Sequence, residues 1–313
     1  MLYLTEDEVR RLLPMRECIG LMRTVFQRLA SGEAANQPRR RLTLPTRSTL
    51  HYMAGSDGRY FGAKVYATNP AHGAHFLFLL YRAEDAAPLA IVEANHLGQI
   101  RTGAASGLAT SLLARPDSKR VAIIGSGFQA RTQLEAMTAV LSIGPVMVWS
   151  RSEEKRAAFA RECSGSFGLE VRAAASAEEA VRGADIVITA TNAKDPVLED
   201  AWIVPGMHIN AMGSNQATRR EIPAGTVRRA RVVMDNREQA EMEAGDLILA
   251  ARDEGWTGGL ELQDVVAGRQ PGRTSPADVT LFKSIGIAAE DVAAAAYVYE
   301  RAMESGAGRP VYS

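Results

Sequence analysis

Cysteine is nearly absent: Cys18 and Cys163 are the two in 313 residues. Two thiols make no disulfide framework, and no Cys/His grouping has metal-ligand spacing. Net charge is missing as well, because 36 basic side chains face 36 acidic ones. No overall field therefore favours nucleic acid or an anionic membrane as a partner. No uncharged run approaches roughly 18 apolar residues, so no membrane span is expected. Acidic side chains appear by position 6 with no apolar stretch before them, which is unlike a signal peptide. Internal repeats and low-complexity tracts are also missing. The expectation is a soluble cytoplasmic chain with reduced thiols, long enough for two domains.

The most informative segment present is 121–130, Val-Ala-Ile-Ile-Gly-Ser-Gly-Phe-Gln-Ala. A β-branched run ends at Gly125, Gly127 follows, and a helical pattern starts at once. In that strand–turn–helix context a Gly-x-Gly-x-x-Ala pattern reads as a dinucleotide fingerprint. Gly125 allows the tight turn, Gly127 lets backbone approach a pyrophosphate, and Ala130 lets helix and strand pack closely. The helix-start N–H groups then face the phosphates.

The next strand, 146–150, ends in Ser150-Arg151-Ser152, with no carboxylate before Glu153. An acidic residue at this place binds the ribose 2′-hydroxyl of NAD, whereas an arginine accommodates the 2′-phosphate of NADP. A guanidinium flanked by hydroxyls suits a phosphate. NADP(H) is therefore expected over NAD(H).

Strand and helix patterns alternate from about 117 to 290, with strands expected at 120–125, 146–150, 170–173, 185–190, 207–212 and 231–235. That rhythm predicts an α/β fold with a Rossmann-type, doubly wound parallel sheet. Before it, Thr5-Glu-Asp-Glu opens a short helix with a capping box. An amphipathic helix follows over 15–30. Strands are expected at 41–44, 50–54, 60–68 and 76–81, with another starting at Ile91. A small-residue helix covers 102–114. The expected division is a mixed α+β substrate-binding and dimerisation domain, 1–115, joined by a C-terminal helix in 289–313, and a dinucleotide domain, 116–288.

Three basic places in the first domain carry candidate chemistry. Lys64 lies inside an apolar strand, where lysine is rare without a partner or a route to solvent. Arg101 stands just before the small-residue helix, where the dipole disfavours a cation. Arg39, Arg40 and Arg41 run together, and this pattern leaves open which of them enters a site. Together they suggest a clamp for an α-carboxylate. In the second domain, His208 lies inside a strand that runs into Gly213-Ser214-Asn215, a loop at the sheet edge where a nicotinamide would lie. His208 itself reads as a core histidine. Thr189 and Thr191 end the preceding strand near that edge. Ser284 to Gly286 can approach a cofactor through backbone, and Asp291 fits a helix start.

These segments, in this order, resemble the ornithine cyclodeaminase/μ-crystallin family. The likeness rests on Lys64 with Asn69-Pro70, on Arg101-Thr-Gly-Ala-Ala-Ser, on the 125–130 fingerprint, on His208-Ile-Asn-Ala-Met-Gly, and on Phe282-Lys-Ser-Ile-Gly-Ile-Ala-Ala-Glu-Asp. The resemblance implies a homodimer and hydride transfer between a nicotinamide and the α-carbon of an amino or imino acid. It puts the carboxylate clamp on Arg41, Lys64 and Arg101, with Arg41 chosen by its distance to Pro45. Gly286 is placed beside the substrate. Cofactor contacts are implied at Ser126, Gly127, Phe128, Gln129, Ser150, Thr191, Asn210, Ala211, Met212, Arg219 and Ile285.

Three positions depart from the cyclodeaminase pattern. Asn215 stands where an aspartate activates the substrate amine, and an amide takes no proton. Phe76 stands where a threonine meets the cofactor. Ser150-Arg151 replace an acidic residue that holds NAD. The expectation is an NADP(H)-dependent reductase of a cyclic ketimine, or an amino acid dehydrogenase. Ornithine cyclodeaminase and a non-catalytic nucleotide-binding protein are the alternatives.

Overall fold

The computed structural model describes residues 1–311. The chain forms two compact units, one of Met1–Ala104 with the segment from Gly286 on, the other of Ala105–Ile285. The division falls inside a helix, earlier than the linker signal at 115–118. The last turn of that helix bonds within the second unit: Leu113 O accepts from Thr280 Oγ1 at 3.0 Å and from Arg273 Nε at 2.7 Å.

In the first unit, strand β1 (Leu2–Leu4) precedes helix α1 (Glu6–Leu12), which Thr5 and Glu8 cap reciprocally. Pro14 then starts helix α2 (Met15–Ser31), which ends on the left-handed Gly32. Strands β2 (Ala35–Thr43), β3 (Thr49–Ser56), β4 (Tyr60–Asn69), β5 (Gly73–Arg82) and β6 (Pro88–Glu93) form an antiparallel run. The sheet order is Arg309–Pro310, β1, β6, β5, β4, β3, β2. β2 begins well before the strand expected at 41–44. Pro38 is tolerated there because β2 is an edge strand with a register shift between Gln37 and Arg40. Helix α3 (Asn95–Leu113) also starts earlier than the small-residue run suggested. The C-terminal helix, Ala288–Ser305, packs on α2, β3 and β4.

The second unit contains the expected Rossmann-type sheet. Its strands are β7 (Val121–Ile124), β8 (Val146–Trp149), β9 (Val171–Ala173), β10 (Ile186–Thr189), β11 (His208–Ala211), β12 (Arg231–Met234), β13 (Leu260–Glu261) and β14 (Thr280–Lys283). All pairs are parallel, in the order β13-β12-β14-β11-β10-β7-β8-β9. Strands β7, β10, β11 and β14 are buried throughout, as expected for a sheet covered on both faces. The two added strands were not expected from sequence. β13 has two residues, and the short β14 ends in a lysine, so neither gives a clear period-2 signal. The strand order reverses between β7 and β10, which is where such sheets bind ligands. Helices α4 (Phe128–Val140) and α5 (Glu153–Phe167) follow β7 and β8. Among the described residues no helix is long and apolar enough to cross a membrane, and no group of His, Cys, Asp or Glu has metal-ligand geometry.

Candidate active site

The first unit buries a charged cluster. Lys64, on β4, lies 3.0 Å from Asp291 Oδ1, and Arg101 Nε donates to the same oxygen at 3.0 Å. Arg101 NH1 also pairs with Glu290 Oε2 at 2.9 Å. Arg39 NH2 donates to Gly286 O at 3.2 Å and meets Met53 Sδ at 3.7 Å. Three cations against two carboxylates leave one net positive charge, in a place where no residue exceeds 6% exposure. Buried charges persist only when paired. Asp291 Oδ2 nevertheless has no hydrogen-bond partner among the described residues.

Burial and pairing act in opposite senses here. Burial lowers the Lys64 pKa, Asp291 opposes it, and the result is about 8. Burial also disfavours the charged Arg101, but Asp291 and Glu290 outweigh it and raise its pKa. For Asp291, burial pushes upward while Arg101 and Lys64 pull the carboxyl below its ordinary range. Two glycines make room. A Cβ on Gly98 would lie 2.5 Å from Lys64 Nζ, and one on Gly286 would lie 2.5 Å from Arg101 NH1. Gly286 also has φ +74°, which disfavours any side chain.

The arginine chosen from sequence shifts. Arg39 is the buried one of the three, while Arg40 and Arg41 are exposed. Arg41 lies further along β2, opposite His51. The bulge at 37–40 moves the inward position, and spacing to Pro45 could not reveal that. Beside the cluster, Phe76 stacks on Tyr66 (4.7 Å) and Tyr66 on His51 (4.3 Å), while Lys64 Nζ sits 5.5 Å from the Phe76 ring centre. Burial, then Arg41 and Arg39, push the His51 pKa down to about 4, so this imidazole is neutral.

In the second unit the fingerprint sits at the end of β7. Gly125 has φ +114°, and a Cβ there would meet Ala190 O at 2.4 Å. Gly127 begins α4 with no side-chain cap, and a Cβ on it would meet nothing within 4 Å. Gln129 Oε1 is buried without a hydrogen-bond partner among the described residues, and Phe128 is exposed. An uncapped helix start with open space before it fits a pyrophosphate. Ser126 and Ser150 share a hydrogen bond of 2.8 Å. Ser152 caps α5 through Lys155 N, and Arg151 is exposed, 3.5 Å from Asn192 Oδ1.

The sheet edge beyond is held by buried carboxylates that the sequence reading missed. Glu221 accepts from Thr191 N and Oγ1 (both 2.7 Å), Thr189 Oγ1 (3.0 Å) and Gly213 N (2.6 Å). Burial and the nearby Asp246 raise its pKa. Asp246 accepts from Glu221 N and Ile222 N and pairs with Lys283 at 2.8 Å. Lys283 Nζ donates to Ser214 O at 2.7 Å, one residue from the half-buried Asn215. Asp235 Oδ2 accepts from Ile285 N at 2.8 Å. Arg219 donates to Asn192 O at 2.9 Å, Met212 N to Thr189 O, and Ser284 N to Ala211 O. These bonds join residues far apart in sequence, so no local pattern announces them.

Residues 1–306 match the ornithine cyclodeaminase/mu-crystallin family. The chain belongs to that family. A Bacillus cereus Δ1-pyrroline-2-carboxylate reductase is 34% identical over 324 aligned positions, covering 99% of both chains. The solved structure of Thermococcus litoralis Δ1-pyrroline-2-carboxylate reductase with NADH and L-proline superposes with a TM-score of 0.95 at 36% identity, covering 99% of this chain and 100% of the other. An archaeal alanine dehydrogenase dimer with bound NAD gives 0.94 at 31% identity, over 100% and 99%.

Among the family-implied cofactor residues, Asn210 faces inward. Its Nδ2 donates to Thr110 Oγ1 at 2.9 Å and its Oδ1 meets His208 Nε2 at 3.3 Å. Asn210 is also fully buried, so its side chain is committed to the core and only its backbone remains for a ligand. His208 is a core residue, as expected: it also meets Thr280 Oγ1 at 3.0 Å, and burial followed by Arg273 lowers its pKa to about 3.

Proposed function

We propose that the chain is an NAD(P)H-dependent reductase of cyclic ketimines, of the pyrroline- and piperideine-2-carboxylate class, also able to run as an amino acid dehydrogenase. The observation that carries this reading is the buried cluster of Arg39, Lys64 and Arg101 on Glu290 and Asp291. Its single surplus positive charge matches one α-carboxylate. Arginine contributes bidentate geometry and lysine a point charge. Holding the carboxylate fixes the α-carbon, and positioning of this kind supplies much of the rate. Cations beside the substrate also make its imine carbon more electrophilic. The bound nicotinamide supplies the hydride. Reduction consumes one hydride and one proton per imine and yields the amine.

Asn215 supports reduction over ornithine cyclisation. Its amide can hydrogen-bond an imine nitrogen but cannot take a proton from an amine. The cofactor contacts are assigned to Gly125, Ser126, Gly127, Phe128, Gln129, Ser150, Arg151, Ser152, Thr191, Ala211, Met212, Arg219 and Ile285, with backbone alone at Asn210. Ser150, Arg151 and Ser152 support NADP(H) over NAD(H). The test is absorbance at 340 nm with NADPH or NADH and each ketimine, beside ammonia release from ornithine. NADPH oxidation with a ketimine is expected. Ammonia and proline from ornithine, without net cofactor change, would sink the reading.

Lys64 gives this clamp a pH limit. With a pKa near 8, it is protonated at neutral pH and loses its charge above that value. Affinity for pyrrole-2-carboxylate, a mimic without an imine nitrogen, is expected to fall by up to about tenfold per pH unit above 8. Calorimetric titration from pH 6.5 to 9.5 reads this. A flat profile would remove Lys64 from the clamp.

The chain is also proposed to form a homodimer. Leu42, Leu50, Tyr52 and Leu77 are exposed on one face of the first unit's sheet, a patch that a second copy would cover. Sedimentation at micromolar concentration is expected to give twice the chain mass. A monomer would refute it.

A further inference from the structure

The turn after β8 holds more positive charge than the Ser150-Arg151-Ser152 pattern uses. Arg156, on the first turns of α5, donates NH1 to Ser150 O at 3.0 Å. Its backbone N donates to Ser152 O at 3.1 Å. Ser150 Oγ is bonded to Ser126 Oγ at 2.8 Å and lies 3.2 Å from Ser152 O. The Arg156 guanidinium is therefore anchored against the carbonyl of the residue that follows β8, half-buried, with its other N–H groups uncommitted among the described residues.

Three nearby arginines of the same unit are neutralised locally. Arg131 pairs with Glu162, Arg172 with Glu170 and Arg182 with Glu178. Arg151 and Arg156 have no carboxylate partner among the described residues. Glu153 and Glu154 occupy the first turn of α5 but pair with neither. Their charges oppose an anion at this turn. Arg151 alone does not offset two carboxylates. With Lys155 and Arg156 the balance over 151–156 becomes positive by one.

We propose that Arg156 is a second determinant of 2′-phosphate recognition, acting with Arg151 on NADP(H). The proposal rests on the NADP(H) reading above. One NH1 bond to Ser150 O sets the guanidinium, and the remaining N–H groups meet the phosphate. A pre-set planar fork loses little entropy on binding, unlike the free Lys155 chain.

The test measures binding of 2′,5′-ADP and of 5′-AMP by calorimetry, with KM for NADPH and NADH alongside. Arg156→Ala is expected to weaken 2′,5′-ADP roughly ten- to a hundredfold. Binding of 5′-AMP and the KM for NADH should stay within about twofold, which also shows that the variant is folded. Arg156→Lys should restore only part of the loss, and Lys155→Ala should change less than about threefold. An unchanged preference for 2′,5′-ADP in Arg156→Ala, with Arg151→Ala impaired, would overturn this role and leave the NADP(H) reading standing. Equal binding of both nucleotides by the unmodified protein would instead overturn the NADP(H) reading, and Arg156 with it.

Discussion

Arg101→Ala is expected to lower kcat/KM for the ketimine by roughly three orders of magnitude or more, because positioning and charge are lost together. NADPH should still bind, since no fingerprint residue is altered. The variant also removes one partner from each of two fully buried carboxylates, Glu290 and Asp291. Breaking a buried pair costs about 3–5 kcal/mol, so the alanine protein will be less stable. Arg101→Lys separates the two effects. It keeps a charge for folding but cannot reach both carboxylates in the arginine's fixed fork. It should fold and still lose roughly a hundredfold in kcat/KM, with cofactor affinity unchanged. Steady-state kinetics with fluorescence titration of NADPH decides this. Full activity in Arg101→Lys would make Arg101 a structural residue only.

Asp291→Asn should have the largest effect on stability. One oxygen of this carboxylate serves both Lys64 and Arg101 at 3.0 Å. The amide keeps the shape and removes the charge, leaving three buried cations against Glu290. A cost of about 3–5 kcal/mol is expected at pH 7. The effect has a definite pH sign. The folded-state pKa of Asp291 lies below its unfolded value. Its stabilisation is therefore present above the unfolded pKa and is lost as pH falls through the folded one. The gap in melting temperature between the two proteins should be wide at pH 7 and begin to close below about pH 4. Loss of Asp291 also removes the charge that supports a protonated Lys64. Affinity for pyrrole-2-carboxylate should then fail at a lower pH than in the unmodified protein. A melting gap independent of pH would show that the ion pairs are not its cause.

The nucleotide unit was legible where its signals are local. The fingerprint at 125–130, and the places of Ser150 and Thr191 just past the ends of β8 and β10, follow from glycine conformation, short apolar β-branched runs and known strand–helix turns. Lys64 was legible because it violates a local rule, a lysine in an apolar strand. Arg101 was singled out as a cation before a helix start, but it lies inside α3, six residues after its first position, so the dipole argument does not apply to it. The partners of both were not legible. Asp291 alone satisfies a helix dipole, and only a contact across 190 residues reveals its second role. Arg39 was hidden by the bulge in β2, which breaks the alternation used to assign faces. Glu221 and Asp246 were hidden because they bond mostly to backbone and hydroxyls, and those partners leave no charge pattern in sequence.

The first unit is assembled from both ends of the chain, and this sets an order during synthesis. Residues up to 104 leave the ribosome with Arg39, Lys64 and Arg101 already present, but Glu290 and Asp291 emerge more than 180 residues later. The nucleotide unit is continuous from 105 to 285 and can fold as it emerges. A nascent chain stopped before Gly286 would carry a nucleotide-binding unit beside three cations with no carboxylates to bury them. With the clamp assigned as proposed, carboxylate binding would report that translation has passed the start of the C-terminal helix, while dinucleotide binding would report only that it has passed β14.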